Sequence, residues 1–336
     1  MDNLNFKGKI SNISYSKGSA DGGISNSINV LELYFNYYGI QSDWISYDNI
    51  SKIKQSKFLN KYLTSLKKFN SLVHFHGLWR SHSRLRNLKD ILYVVSPHGM
   101  LMPHCLKRSR IKKYISSKIW EDNFIQNARY IFTLSIKEAS TIPEKYTNKN
   151  IIVFPNSVLI PETQNNIEFI PPPWKDDIGH SKKVLLFLSR FDSIKGIYLL
   201  IDAWKKFYYS EEVNNWVLAI VGYGDNGKLE KFVNNMKNKN YLRNVFVYPP
   251  AFGKFKDSCF RNSDAFILPS YSEASPMSAL EALSYGKPSI ISSSCGIYEN
   301  AKFINKSLSR LSDIPYIECS PNIKSIYKCL KKLLNM

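Results

Sequence analysis

The sequence of 336 residues holds no D-x-D triplet, no C-x-x-C pair and no apolar run approaching the roughly 18 to 20 residues that cross a bilayer. The first absence leaves no obvious carboxylate pair for a catalytic divalent cation. The second, with cysteines scattered at Cys105, Cys259, Cys295, Cys319 and Cys329, argues against a disulfide framework or a zinc site. The thiols are expected to be reduced and mostly structural. The third excludes a membrane-spanning helix, and the opening Met-Asp-Asn-Leu-Asn-Phe-Lys lacks the basic-then-apolar plan of a secretory signal, so a cytoplasmic protein is expected. Acidic residues are also few: 27 Asp and Glu against 46 Lys and Arg leave a formal charge of +19. Such an excess suits an acidic partner, whether nucleic acid, anionic lipid or a phosphorylated substrate. No recognisable nucleic-acid module occurs, so nucleic acid is not the expected partner. Nothing in the composition calls for a cofactor.

The length allows two domains, each able to bury a core. Strand and helix patterns alternate twice along the chain. In the first set, strands are expected over Ile10 to Tyr15, Ser42 to Tyr47, Leu72 to Phe75, Ile91 to Val95 and Tyr130 to Leu134. Helices are expected from about Ile24 to Tyr38, over Phe58 to Phe69, Lys112 to Ile125 and Lys137 to Ile142. In the second set, strands are expected over Val184 to Leu188, Trp216 to Val221, Val245 to Tyr248, Ala265 to Leu268 and Ser289 to Ile291, with a closing amphipathic stretch from Ile323 to Leu334. Between them lies a polar, proline-rich segment with Pro161, Pro171, Pro172 and Pro173, of linker composition. The expected plan is α/β: two Rossmann-like doubly wound domains facing across a cleft. Domain one covers 1–165, a linker 166–182, domain two 183–320 and a C-terminal helix 321–336.

The second set contains the most informative stretch. Ala265 to Leu268 form a buried-type strand, Ser275 and Pro276 look like the N-cap and first residue of a helix, and Gly286 and Pro288 end it. At that helix start the backbone N–H groups of Met277, Ser278 and Ala279 lack intrahelical acceptors and, with the helix dipole, suit a phosphate. Glu273 lies on the preceding loop. Glu281 sits about one and a half turns in and leans back toward the N-terminus, where an ionised carboxylate accepts from a ribose diol and repels a phosphate. After the strand Val184 to Leu188, Arg190 and Lys195 share a turn, where a cation pair would neutralise a diphosphate. Gly222 and Gly224 follow the next strand and allow close approach of a ligand, while Gly22 and Gly23 do the same after the first strand.

The run Pro-Ser-Tyr-Ser-Glu273-Ala-Ser-Pro-Met-Ser-Ala-Leu-Glu281-Ala-Leu-Ser-Tyr-Gly-Lys-Pro resembles the E-x7-E signature of the retaining glycosyltransferases of family 4 (group 1). The resemblance implies the GT-B fold, with Glu281 on the donor ribose and Glu273 beside the donor sugar and its phosphates. It likewise implies Arg190 and Lys195 on the diphosphate and Gly22 and Gly23 facing diphosphate and acceptor. Ser96-Pro-His98-Gly-Met-Leu resembles a further element of the family, in which a histidine approaches the donor sugar; His98 is therefore the preferred residue of the first domain and His76 the second. Pro155-Asn156-Ser157-Val158 resembles the family's Pro-Asn-Gly-Val turn, with serine where glycine would reach positive φ cheaply.

The expected activity is retaining, metal-independent transfer of a sugar from a nucleoside diphosphate donor to a saccharide acceptor. Catalytic roles fall to His98, Glu273, Arg190 and Lys195. Donor binding falls to Gly22, Gly23, Gly222, Ser275, Met277, Ser278, Ala279 and Glu281. Two basic clusters, Arg80, Arg84 and Arg86 with Lys89, and Lys107, Arg108, Arg110, Lys112 with Lys113, suggest contact with an anionic membrane surface. That contact implies a lipid-linked oligosaccharide acceptor, as in bacterial O-antigen, capsule or exopolysaccharide assembly. The alternatives are a nucleotide-sugar-binding subunit without chemistry and, on charge alone, a nucleic-acid-binding protein.

Overall fold

Strands joined by crossovers build two separate parallel sheets, one in each of two compact units, Met1–Val158 and Leu159–Met336. The computed structural model describes residues 8–18, 22–67, 71–85, 88–159, 170–179, 181–210, 215–238, 242, 244–297 and 316–334.

In the first unit the strands are β1 (Lys9–Ile13), β2 (Ser42–Ile45), β3 (Ser71–His76), β4 (Leu92–Ser96), β5 (Tyr130–Thr133) and β6 (Ile151–Val153). Their spatial order is β2-β1-β3-β4-β5-β6. Helices are α1 (Gly23–Tyr37), α2 (Lys52–Leu66), α3 (Pro103–Lys107), α4 (Arg110–Ser116), α5 (Asp122–Asn127) and α6 (Ile136–Ala139). The winding direction reverses between β1 and β3, and such a reversal opens a crevice at the strands' carboxyl ends. Ile13, Val73, Phe75, Tyr93, Val95 and Ile131 pack with Phe124 and Ile125 of α5 into a dry core. His82 belongs to that core: its Nδ1 meets the Tyr47 hydroxyl at 2.7 Å and its Nε2 the Gly77 carbonyl at 2.9 Å.

In the second unit the strands are β7 (Lys183–Arg190), β8 (Trp216–Tyr223), β9 (Val245–Tyr248), β10 (Ala265–Leu268), β11 (Ser289–Ser292) and β12 (Tyr316–Cys319). Their order is β12-β11-β10-β7-β8-β9, all parallel, so the reversal falls between β7 and β10. Helices are α7 (Ile197–Ser210), α8 (Lys228–Asn238), α9 (Gly253–Arg261), α10 (Met277–Ser284) and α11 (Ile323–Leu334). Trp204 and Phe207 of α7 are fully buried, and α11 lies against α7 in this same unit.

Several elements differ from the sequence reading. The helix expected over Phe58 to Phe69 starts earlier, at Lys52, after Ser51. The stretch Lys112 to Ile125 is not one α-helix: a π-turn over Ser117–Glu121 separates α4 from α5. Residues 170–179, read as linker, pack on the second unit. Trp174 is buried and its ring lies 6.1 Å from that of Tyr248, while the Ser258 hydroxyl donates to the Ile170 carbonyl. Of the other linker positions, 166–169 and 180 lie outside the described residues, as do 160–165 at the end of the first expected domain. Ser157 has no positive φ, so the turn it shares with Asn156 needs no glycine; the Ser27 hydroxyl instead anchors that turn to α1 by donating to Asn156 Oδ1 at 2.6 Å.

Candidate functional site

In the second unit the candidate residues gather at the β7/β10 reversal. Arg190 ends β7 and is exposed, with no side-chain partner among the described residues. Lys195 follows in a tight turn closed by Gly196 at φ 69°. That turn is clamped to the loop after β10. The Tyr271 N–H donates to the Ile194 carbonyl at 2.7 Å, and a Cβ on Gly196 would stand 2.2 Å from the Pro269 carbonyl oxygen. The clamp carries Lys195 to Glu273, with which it forms an ion pair whose side chains are 12% and 16% exposed. So shielded a pair is held more firmly than the exposed pairs that contribute about 0–1 kcal/mol. Glu273 is itself fixed: its N–H donates to the Ser294 carbonyl, its carbonyl accepts from Gly296 N, and its carboxylate accepts from the Ser270 hydroxyl at 3.3 Å.

Helix α10 begins one residue later than its sequence suggests. Pro276 is the N-cap, and no side chain caps the helix, so Ser275 does not play that part. Of the three amides expected to be open, Ala279 N–H already donates to the Pro276 carbonyl at 3.1 Å. Met277 and Ser278 have no such acceptor among the described residues, so two amides, not three, are open at the start of α10. Glu281 is 8% exposed and its carboxylate meets Lys256 of α9 at 2.7 Å. Lys256 is not among the residues the sequence singles out, because its partner Glu281 lies on another helix.

Gly222 needs its missing side chain for the chain itself. A Cβ there would fall 1.9 Å from the Ser189 carbonyl oxygen on β7 and 2.7 Å from the Phe191 ring, so the glycine lets β8 and the β7 exit approach each other. In the first unit Gly22 is the N-cap of α1 with φ 56° and ψ −122°, and Gly23 opens the helix on an exposed position. Residues 19–21 of that turn lie outside the described residues.

The histidines of the first unit converge where β3 and β4 end. His76 Nδ1 and His98 Nε2 are 2.9 Å apart, and His76 Nε2 reaches Asn12 Oδ1 of β1 at 3.0 Å. His98 adopts φ 51°, a left-handed backbone that costs a non-glycine residue on the order of 1–3 kcal/mol. Buried Glu138 of α6 holds that backbone in place: Oε1 accepts from Gly99 N at 2.5 Å and Oε2 from Leu134 N at 2.7 Å. Burial lowers the pKa of His98 to about 4 and that of His74 to about 3, and holds His76 well below the ordinary imidazole range, with His74 and His98 adding to the last effect. All three are neutral at physiological pH. Among the described residues no three His, Cys, Asp or Glu side chains are grouped to hold a metal ion, and no helix is long and apolar enough to cross a membrane.

Comparison with known proteins covers both units unequally. Residues 172–302, which contain Arg190, Lys195, Glu273, α10 and Glu281, match the family model of glycosyl transferases group 1. An uncharacterized glycosyltransferase of Methanocaldococcus jannaschii is 24% identical over 254 residues, 69% of this chain and 60% of that protein. The chain therefore spans less than two thirds of that relative's length. Among solved structures, the sucrose-phosphate synthase of Thermosynechococcus elongatus superposes with a TM-score of 0.65 at 14% identity, covering 98% of this chain and 90% of that one. HepE of Anabaena, solved with UDP and glucose, gives 0.60 at 12% identity over 97% and 95% of the two chains. WaaG, a glycosyltransferase involved in lipopolysaccharide biosynthesis, gives 0.59 at 15% identity over 97% and 90%. Likeness at these identities concerns the fold, and the fold is theirs.

Proposed function

We propose that the chain is a group 1 glycosyltransferase of the retaining family 4 type, which moves a sugar from a nucleoside diphosphate donor to a saccharide hydroxyl without a divalent metal. The observation that carries the proposal is Lys195 pinned against Glu273 in the loop leading into α10, whose Met277 and Ser278 amides are open. A departing diphosphate develops negative charge as the glycosidic bond breaks, and cations and amides already in place there stabilise it without reorganising. Arg190 supplies a second cation from the end of β7. Glu281 takes the ribose hydroxyls, and Lys256 holds its carboxylate oriented until they arrive. In the first unit His98, backed by His76, meets a hydroxyl of the donor sugar. HepE, solved with UDP and glucose, and WaaG, involved in lipopolysaccharide biosynthesis, agree in kind with such a donor and with a saccharide acceptor.

A thermal-shift panel of UDP, GDP, ADP and dTDP with their sugars tests the proposal. One base should stand out, a ligand at 100 times its dissociation constant adding roughly 2.7 kcal/mol of stability. No shift with any of them would remove the donor site. The stereochemistry is read from the anomeric configuration of the product.

The acceptor is proposed to be lipid-linked, with the protein peripheral on an anionic membrane face. Support comes from α4 and the turn after it. Ile111 and Tyr114 are 77% and 65% exposed, Ile115 and Ile119 follow at helical spacing, and Lys107, Arg108, Arg110, Lys112 and Lys118 around them face solvent. Apolar side chains standing among cations are suited to the boundary between headgroups and acyl chains. The other basic cluster contributes less than its sequence suggests. Arg80 lies over the Tyr15 ring at 4.5 Å and Arg84 over Trp120 at 4.9 Å, while Arg86 lies outside the described residues. Co-sedimentation at low salt should therefore favour anionic over neutral liposomes, and Ile111→Ser with Ile115→Ser should abolish the preference. Equal binding to both liposomes would remove the membrane from the proposal.

A further inference from the structure

The His76–His98 pair stands at the end of a chain of hydrogen bonds whose direction is set at its other end. Glu32 of α1 accepts from Asn12 Nδ2 at 2.6 Å through Oε1 and from the Ser42 hydroxyl at 2.7 Å through Oε2. An ionised carboxylate can only accept, so Asn12 must turn its amide nitrogen to Glu32 and its Oδ1 to His76. Oδ1 is also only an acceptor, so His76 Nε2 carries the proton, and in a neutral ring Nδ1 is then a lone pair. That lone pair, 2.9 Å from His98 Nε2, fixes the next proton on Nε2 of His98. What remains on His98 is Nδ1, unprotonated and with no partner among the described residues. The desolvation that keeps both rings neutral keeps the sequence of donors and acceptors intact.

We propose that Glu32 and Asn12 are positioning residues that act through His76 to hold His98 in its Nε2–H form, so that Nδ1 can only accept. A ring of that polarity bonds a ligand hydroxyl and turns away a phosphate oxygen, which has nothing to donate. It therefore selects the saccharide end of a nucleotide sugar over the diphosphate end. The choice of ligand rests on the transferase reading above; the tautomer does not. Glu32 borders an open groove with Lys9, Asn29 and Gln41, so an isosteric change there stays hydrated and leaves the core untouched.

The test is a two-bond nitrogen–proton correlation spectrum of the full chain with labelled histidine, at neutral pH and without nucleotide. His98 should show an unprotonated Nδ1. Glu32→Gln introduces an amide that can donate to Asn12, allowing Asn12 to turn over, His76 to move its proton to Nδ1, and His98 to take the Nδ1–H form. The expected result is loss of the single tautomer in Glu32→Gln, with kcat/KM for the nucleotide sugar down roughly tenfold and an unchanged thermal midpoint. Ser42→Ala, which removes the other bond to Glu32 but keeps its carboxylate, should leave the tautomer as it is. A protonated Nδ1 in the wild type, an unaltered tautomer in Glu32→Gln, or an equal change in Ser42→Ala overturns the relay. The expected tautomers in a protein inactive toward every nucleotide sugar would establish the relay and remove the transferase reading instead.

Discussion

Lys195→Ala is expected to lower kcat by about 10²-fold or more with the nucleotide sugar that the binding panel selects, because it removes a cation aimed at charge that develops in the transition state. The same substitution leaves Glu273, 16% exposed, without its counter-ion, and an unmatched carboxylate so shielded costs about 1–3 kcal/mol. Loss of activity could then be mistaken for loss of structure. Lys195→Met combined with Glu273→Gln removes the orphaned charge, and Glu273→Gln alone is the control for the part of the kinetic loss that belongs to the carboxylate. Stability should return toward the wild-type midpoint in the double variant, and kcat should stay low. Recovery of turnover along with stability would mean that the lysine serves only the fold. Arg190→Ala, which breaks no pair among the described residues, should show the kinetic loss with no change in thermal midpoint.

The first unit is expected to lose stability steeply as pH falls from about 6.5 toward 4. His82 and His98 have pKa values lowered to about 4, His74 to about 3, and His76 is held well below the ordinary range, in each case chiefly by burial. Between those values and the unfolded value near 6.5, only the unfolded chain binds these protons, so each histidine removes about 1.4 kcal/mol of stability per pH unit of acidification. Two buried carboxyls oppose this. Burial raises the pKa of Glu121 to about 7 and raises that of Glu138, so in the same window the folded state holds protons that the unfolded state has released. The four histidines outnumber these two carboxyls, so the net effect of acidification in this window is to favour unfolding. Urea unfolding at pH 7, 6 and 5 should show the transition of the first unit moving to lower denaturant. A midpoint independent of pH over that range would mean that the histidines are hydrated.

How much of this was legible in the sequence depended on how far apart the partners stand. The unit β10–α10–β11 could be read almost residue by residue, because Pro276, Gly286 and Pro288 punctuate it and Ala265 to Leu268 are apolar without a break. Helices α8 and α9 were not read as helices: Lys228–Asn238 and Gly253–Arg261 are largely polar, and each buries only a narrow stripe, Leu229 with Val233 and Cys259 with Phe260. Pairings across long separations left no local trace. Lys256 and Glu281 are partners on different helices, and Asn12 and Glu138 bond to His76, at the end of β3, and to Gly99, beside His98 in the loop after β4. A weak signal did exist for the last group. His74 and His76 alternate with Phe75 and therefore share one face of β3, and Asn12 is a buried polar residue on the neighbouring β1. Trp174 misled in the opposite sense, because three prolines beside one large apolar residue read as a connector when the tryptophan is in fact seated.

Gly196 has a consequence for mechanics. With the Pro269 carbonyl occupying the space where a side chain would begin, and the Tyr271 amide bonded across to Ile194, the lysine turn and the approach to α10 move as a single rigid block although they are distant in sequence. On the proposed function, an incoming anion finds its cation preorganised, and no binding energy is diverted into assembling the site.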